Sequence, residues 1–183
     1  MKHAPTRSHH RRLILAVRRA LVAGFVAAGC WLFWSMTQEQ RQTANMVACH
    51  QNLKRLAQAL FQYTEDWDEC FPPASRWSDC LNNSKYLPKK EFDTVLHCPS
   101  AHGRFGYAMN SSVGSRPPFD FVSPRNTVLL FETDSESLNA SGSVANLARK
   151  RHHILNCLFC DGSVRWVNQY MTTTWIWSAP HTK

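Results

Sequence analysis

Apolar residues fall into distinct regimes along this chain, and each regime predicts a different element. Residues 20–36 (ALVAGFVAAGCWLFWSM) carry no charge at all. Further on, the apolar positions thin to one stripe: Met46, Cys49, Leu53, Leu56, Leu60, Tyr63 and Trp67. Spacings that alternate between three and four put those side chains on one face of a helix. No Pro or Gly lies between Met36 and Trp67, so both regimes are predicted to share one continuous helix. The acidic residues Asp66, Asp68 and Glu69 and then Phe71-Pro72-Pro73 stop it, because proline cannot continue the hydrogen-bond ladder.

Beyond the helix the pattern shortens. Residues 75–87 read as a short helix with Ser75 as its cap and Trp77 and Leu81 turned inward. Residues 93–98, 105–110 and 126–131 read as strands, and 111–125 and 133–150 as polar loops. The clearest local signal is LNCLFCDGSVRWV, residues 155–167, where Asp161-Gly162 separates two apolar runs. That dipeptide favours a two-residue type I′ hairpin. Such a turn sets Phe159 opposite Val164 and Cys157 opposite Trp166, with all four facing the helix. Leu158, Cys160, Ser163 and Arg165 then take the other face. The predicted fold is α+β: a long helix, half transmembrane and half amphipathic, on a small antiparallel sheet.

The net charge of +8 suggests nucleic acid until its distribution is read. Lys2, Arg7, Arg11, Arg12, Arg18 and Arg19 all precede the apolar run, and all 13 acids lie beyond it. The excess is therefore topological, and no nucleic-acid partner is expected. Basic residues before an apolar run hold that end in the cytoplasm. The organisation that follows is a basic cytoplasmic N-terminus (1–19), a transmembrane signal-anchor (20–36), the rest of the amphipathic helix (37–67) and a head (68–183). The head is expected outside the cytoplasm, with membrane lipid as the first partner. Two alternatives stay open: a cleaved secretory signal, and lipidation at Cys30 after Ala27-Ala28-Gly29.

Six of the seven cysteines lie beyond the apolar run, in a compartment that permits oxidation. Six thiols allow fifteen pairings, and sequence does not choose among them. Cys49 with Cys98, and Cys70 with Cys80, are the candidate pairs, and free buried thiols are the alternative. Cys157-Leu158-Phe159-Cys160 is not read as a redox centre. In a strand its ends stand about 10 Å apart, too far for a disulfide. Zinc could in principle be held by His152, His153, Cys157 and Cys160, or by His97, Cys98 and His102, but alternation puts Cys157 and Cys160 on opposite faces, which counts against the first set.

Taken in order, these residues resemble bacterial pilin-like proteins, and specifically the pseudopilins of type II secretion. The match is to a subgroup whose C-terminal signature is His, nine residues, then Asp-Gly. On the helix it rests on Ala48-Cys49, Asn52 to Leu56, Ala59-Leu60 and Tyr63 to Asp66. It continues through Phe71-Pro72-Pro73, Trp77, Leu96-His97-Cys98-Pro99-Ser100, Tyr107 to Asn110, Pro124 to Thr127 and Leu129 to Glu132. It ends on Arg151-His152, Asn156, Phe159, Asp161-Gly162, Val164 and Trp166, so that it spans residues 41–168. Two departures stand out. Eight residues, not nine, separate His152 from Asp161, and Gly24-Phe25 is followed by Val26-Ala27-Ala28-Gly29 with no carboxylate at the fifth position of a prepilin processing site.

The resemblance implies a pilin-like head and a non-enzymatic role in structure or assembly, in a type II secretion or type IV pilus-like system of the bacterial inner membrane. Other pilin-like subunits would be the partners, packed laterally through the Met46-to-Trp67 stripe. The other use of the same fold is a membrane-anchored or lipidated binding module working through loops 111–125 and 133–150. No resident cofactor is expected from the residues. Major pseudopilins hold a calcium in a loop of the sheet, which by resemblance makes Glu132, Asp134 and Asp161 the calcium candidates. The ordinary reading of those three is two solvated acids and a turn aspartate.

Overall fold

Nothing in the sixty residues of α1 (Arg7–Asp66) opposes a helix, since no proline interrupts it. The computed structural model describes residues 7–101, 105–149, 154–168 and 175–178. The chain divides into two units, Met1–Thr43 and Ala44–Lys183, and α1 contributes to both. In the first unit the apolar side chains have no protein to pack on: Leu21, Phe25, Trp31 and Trp34 are all exposed. This part of α1 is long and apolar enough to cross a membrane, and it is a candidate transmembrane or signal-anchor span. At its polar end the hydroxyls of Ser35 and Thr37 donate to the carbonyls of Leu32 and Trp34 within the helix.

In the second unit the same helix becomes the spine of the head. Cys49, Leu53, Leu56, Ala59 and Leu60 are fully buried, and Tyr63 nearly so. The stripe is thus core, covered by the protein's own sheet and short helices. Its last member escapes: Trp67 is 57% exposed, stacked on Tyr63 at 5.6 Å and donating through Nε1 to the Tyr86 hydroxyl at 3.0 Å. The helix ends where Asp66 accepts hydrogen bonds from Lys85 and Tyr86, both at 2.7 Å. Those bonds hold its carboxyl below the usual carboxylate range.

Two short helices follow, α2 (Trp77–Leu81) and α3 (Lys89–Leu96). Ser75 does not cap α2. Asn139, from a distant loop, does so instead, its Oδ1 accepting from the amides of Ser78 (2.9 Å) and Asp79 (3.1 Å). Residues 93–98, expected to be a strand, belong largely to α3. Pro88 precedes its first turn, and Phe92, Val95 and Leu96 recur at helical spacing and are all buried. That packing overrides the β-propensity of Thr94-Val95. Cys98 follows the helix. Its Cβ would lie 2.5 Å from any Cβ on Gly106, so only glycine lets the chain return beside it.

The sheet comprises β1 (Tyr107–Asn110), β2 (Val128–Glu132), β3 (Ser141–Gly142), β4 (Ile154–Phe159) and β5 (Val164–Asn168), in the order β3-β1-β2-β4-β5. It is mixed, not wholly antiparallel: β3, inside a stretch expected to be loop, pairs parallel to β1 at one edge. One face packs on α1 through Tyr107, Met109, Leu130 and Leu158. The other gathers Val128, Phe131, Leu155, Cys157 and Phe159. There Trp175 packs on Phe159 and Trp177 on Phe131, while Ile176 exchanges backbone hydrogen bonds with Asn126 and Val128. The aromatic tail therefore covers the outer face of the sheet, and β2 is buried at every position.

The hairpin register corrects the expected one by a residue. Leu158 faces Val164, Cys157 faces Arg165 and Asn156 faces Trp166. The turn is a three-residue loop, with the Gly162 amide bonded to Phe159 O, the Phe159 amide bonded to Ser163 O, and Gly162 left-handed at φ 82°. Asp161 braces it by accepting from the Ser163 amide and hydroxyl. One residue of slip exchanges the faces of β4. Leu158 and Cys160 turn to the helix, and Cys157 and Phe159 turn away.

Because Leu56 is buried against the head while Phe25 touches no other protein surface, the two should respond differently to truncation. Leu56→Ala is expected to lower head stability by about 2–5 kcal/mol. Phe25→Ala should leave the unfolding midpoint of the head unchanged. Urea titration of the detergent-solubilised protein, followed by near-ultraviolet dichroism, measures both.

Candidate functional site

Where α1 enters the head, its apolar contact with the sheet is interrupted by a group of polar side chains. Asn156 of β4 and Glu132 of β2 face each other across the ladder, both wholly buried. Asn156 Nδ2 donates to Glu132 Oε1 at 2.9 Å and to the Met46 carbonyl of α1 at 3.3 Å. With its amide nitrogen so engaged, Asn156 Oδ1 is the acceptor for His50 Nδ1 at 3.1 Å, which fixes the proton of that imidazole on Nδ1. The His50 ring lies 5.6 Å from Trp166, the residue opposite Asn156 on β5. From β1, the Tyr107 hydroxyl donates to the Cys49 carbonyl at 3.3 Å. Three strands thus reach the same two turns of helix.

A covalent bond closes the arrangement. Cys49 of α1 and Cys98, just past α3, form a disulfide with Cα atoms 5.2 Å apart. A carboxylate oxygen of Glu132 and the two sulfurs lie within 4.8 Å of one another. The crosslink closes a loop of 49 residues, which the chain-entropy relation values at about 4 kcal/mol. The other candidate pair is not joined: Cys70 and Cys80 are half-buried free thiols. Cys157 and Cys160 are free as well, buried on opposite faces of the sheet, and burial pushes both thiols far above their ordinary range. Each is chemically quiet.

The calcium candidates do not converge. Among the described residues the only His/Cys/Asp/Glu trio close enough to share a ligand is Cys49, Cys98 and Glu132, and its sulfurs are bonded to each other. Glu132 is sealed in the core, Asp134 is exposed and Asp161 braces the hairpin turn. Of the signature residues, Asn156 and Trp166 join the polar group, Val164 lies on the helix face, and Phe159 sits on the outer face under Arg165 at 3.5 Å. Arg151 and His152 lie outside the described residues, as do His102 and His153 of the zinc candidates. The stripe residues Cys49, Leu53, Leu56, Leu60 and Tyr63 belong to the core between α1 and the sheet.

Reading the sequence for metals and catalytic pairs missed the partnership of His50, Asn156 and Glu132. The available signal was a lone amide and a lone acid placed inside or at the end of apolar strand runs, Leu155-Asn156-Cys157 and Phe131-Glu132. Such residues need buried partners. Asn156 ties Glu132 Oε1, His50 Nδ1 and the Met46 carbonyl together, an arrangement suited to fixing helix against sheet. No family model, curated protein or solved structure matches the chain.

Two measurements check this geometry. Denatured without reductant, the protein should take up alkylating label at five cysteines, with only Cys49 and Cys98 protected; intact mass counts them. Asn156→Ala strips hydrogen bonds from Glu132 and the Met46 carbonyl, and should cost about 2–4 kcal/mol in urea unfolding. Asn156→Ala should also raise amide exchange around Met46.

Proposed function

We propose that this protein is a non-enzymatic, membrane-anchored, pseudopilin-like structural or assembly component of the bacterial envelope, associated with a type II secretion or type IV pilus-like system. The observation that carries this reading is the unequal treatment of one helix. Its stripe from Cys49 to Tyr63 is taken up by the protein's own head, while the apolar residues before it remain bare. That is the division of labour expected of a rigid head on an anchor. The basic residues ahead of the apolar run support a cytoplasmic N-terminus, and the disulfide favours a head outside the reducing compartment.

The same observation revises how subunits would meet. Met46 and Trp67 lie at the margins of the core, but lateral packing through Cys49 to Tyr63 would require opening it, so contacts between subunits fall to the 20–36 segment. The missing carboxylate near Gly24-Phe25 agrees with a permanent anchor rather than a processed filament subunit.

A binding-module reading has one observation in its favour. Phe119 and Val122 are 69% and 84% exposed on the 111–125 loop, beside a hollow of about 450 Å³ lined by Thr64, Glu65, Glu69, Pro118 and Phe119. Isolated aromatic residues of this kind anchor protein contacts elsewhere.

Purified from its native membrane, the protein should still carry residues 20–36, uncut at Gly24-Phe25 and unacylated at Cys30, on peptide mass mapping. Oxidative crosslinking in that membrane should join subunits through Cys30. A soluble head cut free after residue 36 would contradict the anchored reading. Loss of a co-purifying protein on Phe119→Ala, with the anchor intact, would favour the binding module.

A further inference from the structure

We infer that the basic stretch ahead of the apolar run is a docking face for anionic phospholipid, with Arg11, Arg12, Arg18 and Arg19 gripping headgroup phosphates on the N-terminal side of the span. This face presupposes the anchored reading proposed above and adds which lipid the anchor holds. Its basis is that α1 starts at Arg7, so the four arginines stand on the same helix as the apolar run and not on a loose tail. Helical spacing then decides which side each takes. Arg11 and Arg18 are seven residues apart, as are Arg12 and Arg19, and seven residues make about two turns. The four therefore share one face, with Leu15 between the pairs. Leu13, Ile14, Val17 and Leu21 fall on the opposite face, and all eight are exposed.

Depth favours lipid. At ~1.5 Å per residue the uncharged run 20–36 covers about 26 Å, short of a hydrocarbon core of about 30 Å. Arg18 and Arg19 thus stand at the edge of the hydrocarbon. Long helical side chains lean towards the N-terminus, which carries these guanidiniums outward to the phosphates while their stems stay in apolar surroundings. Arg11 and Arg12 lie about 10 Å further along the axis, beyond the hydrocarbon.

The chemistry of the face matches an amphiphile. A groove of about 340 Å³ is lined by Leu15, Arg18, Arg19, Val22 and Ala23. Cations at one end and apolar side chains at the other suit a phosphate joined to acyl chains, whereas a soluble polyanion would meet only the cations. Among the described residues no ion pair ties the four arginines to an acid. Glu39 is the one acid in the unit Met1–Thr43, and it stands about 30 Å along the helix from Arg19. The planar fork of arginine fits phosphate oxygens in pairs. A zwitterionic lipid brings its own cation with each phosphate, so the face selects lipids of net negative charge.

The test offers full-length protein in neutral detergent equal amounts of phosphatidylglycerol and phosphatidylcholine with the same acyl chains, and native mass spectrometry counts what is retained. Wild type should hold phosphatidylglycerol at least ~10-fold over phosphatidylcholine, with the preference shrinking as salt rises. The fourfold variant Arg11→Gln, Arg12→Gln, Arg18→Gln and Arg19→Gln should lose it. Glutamine forms helix about as well as arginine, and near-ultraviolet dichroism confirms the fold of the head. Arg41→Gln, exposed at the other end of the same unit, should leave the preference intact. Glycerol phosphate, the same anion without acyl chains, should not compete. Equal retention of both lipids by wild type, an unchanged preference in the fourfold variant, or displacement by glycerol phosphate or by a short DNA duplex at equal phosphate overturns the inference. Flotation with pure phosphatidylcholine vesicles separates it from the anchor. Wild type that floats yet shows no preference overturns the lipid face alone, and protein that does not float overturns both.

Discussion

The head depends on one constraint: α1 must stay locked to the sheet at a single height and rotation. An apolar stripe alone does not impose this, because hydrophobic contact is non-directional and a helix can slide along it. Directional bonds at the head's entry do impose it. Asn156 grips the Met46 carbonyl, Tyr107 grips the Cys49 carbonyl, and the Cys49–Cys98 bond ties the helix to the segment between α3 and β1. With those contacts in register, Leu53, Leu56 and Leu60 fall into the core in turn. At the far end Tyr63, Trp67, Asp66 and Tyr86 repeat the device with aromatic stacking and hydrogen bonds. Burying so many polar groups is costly unless each finds a partner, and here they pair across elements distant in sequence.

That lock bears directly on what the protein is for. A helix whose apolar face is already spent inside its own subunit has little left to offer a neighbour along that length. The bare 20–36 segment is left to face lipid or other helices. The proposed role, an anchored pseudopilin-like component, follows from this partition more than from any reactive group. Among the cysteines one pair is structural, Cys157 and Cys160 are sealed in the core, Cys70 and Cys80 are half-buried, and Cys30 stands exposed on the apolar segment.

The end of the helix was legible in the sequence almost to the residue, because a periodic stripe without Pro or Gly has few other solutions, but its start was not: α1 begins at Arg7, inside the stretch read only as a basic N-terminus. The strands at 105–110 and 126–131 and the hairpin were legible too, through apolar runs bounded by turn residues. The hairpin register was not. Alternation marks a face only when the other face is wet, and the Trp175–Trp177 tail leaves β4 buried at five of its six positions. Asp161-Gly162 also serves a three-residue loop, which needs only the glycine left-handed; a type I′ turn needs Asp161 left-handed as well, and here Gly162 alone of the two is. Residues 93–98 misled because Thr94-Val95 favours extended backbone, while Phe92, Val95 and Leu96 had partners only a helix could reach. The Asn139 cap and the His50–Asn156–Glu132 group lay beyond local reading altogether, since each joins residues tens of positions apart.

Amide hydrogen exchange along α1, compared between dilute detergent and the native membrane, tests the central claim most directly. If the head itself consumes the stripe, the amides of residues 49–63 exchange only with global unfolding of the head, and equally slowly in a dilute monomer and in the membrane. Protection of that stretch that appears only in the membrane, at high subunit density, would mean that neighbouring subunits cover the stripe, and would contradict the account.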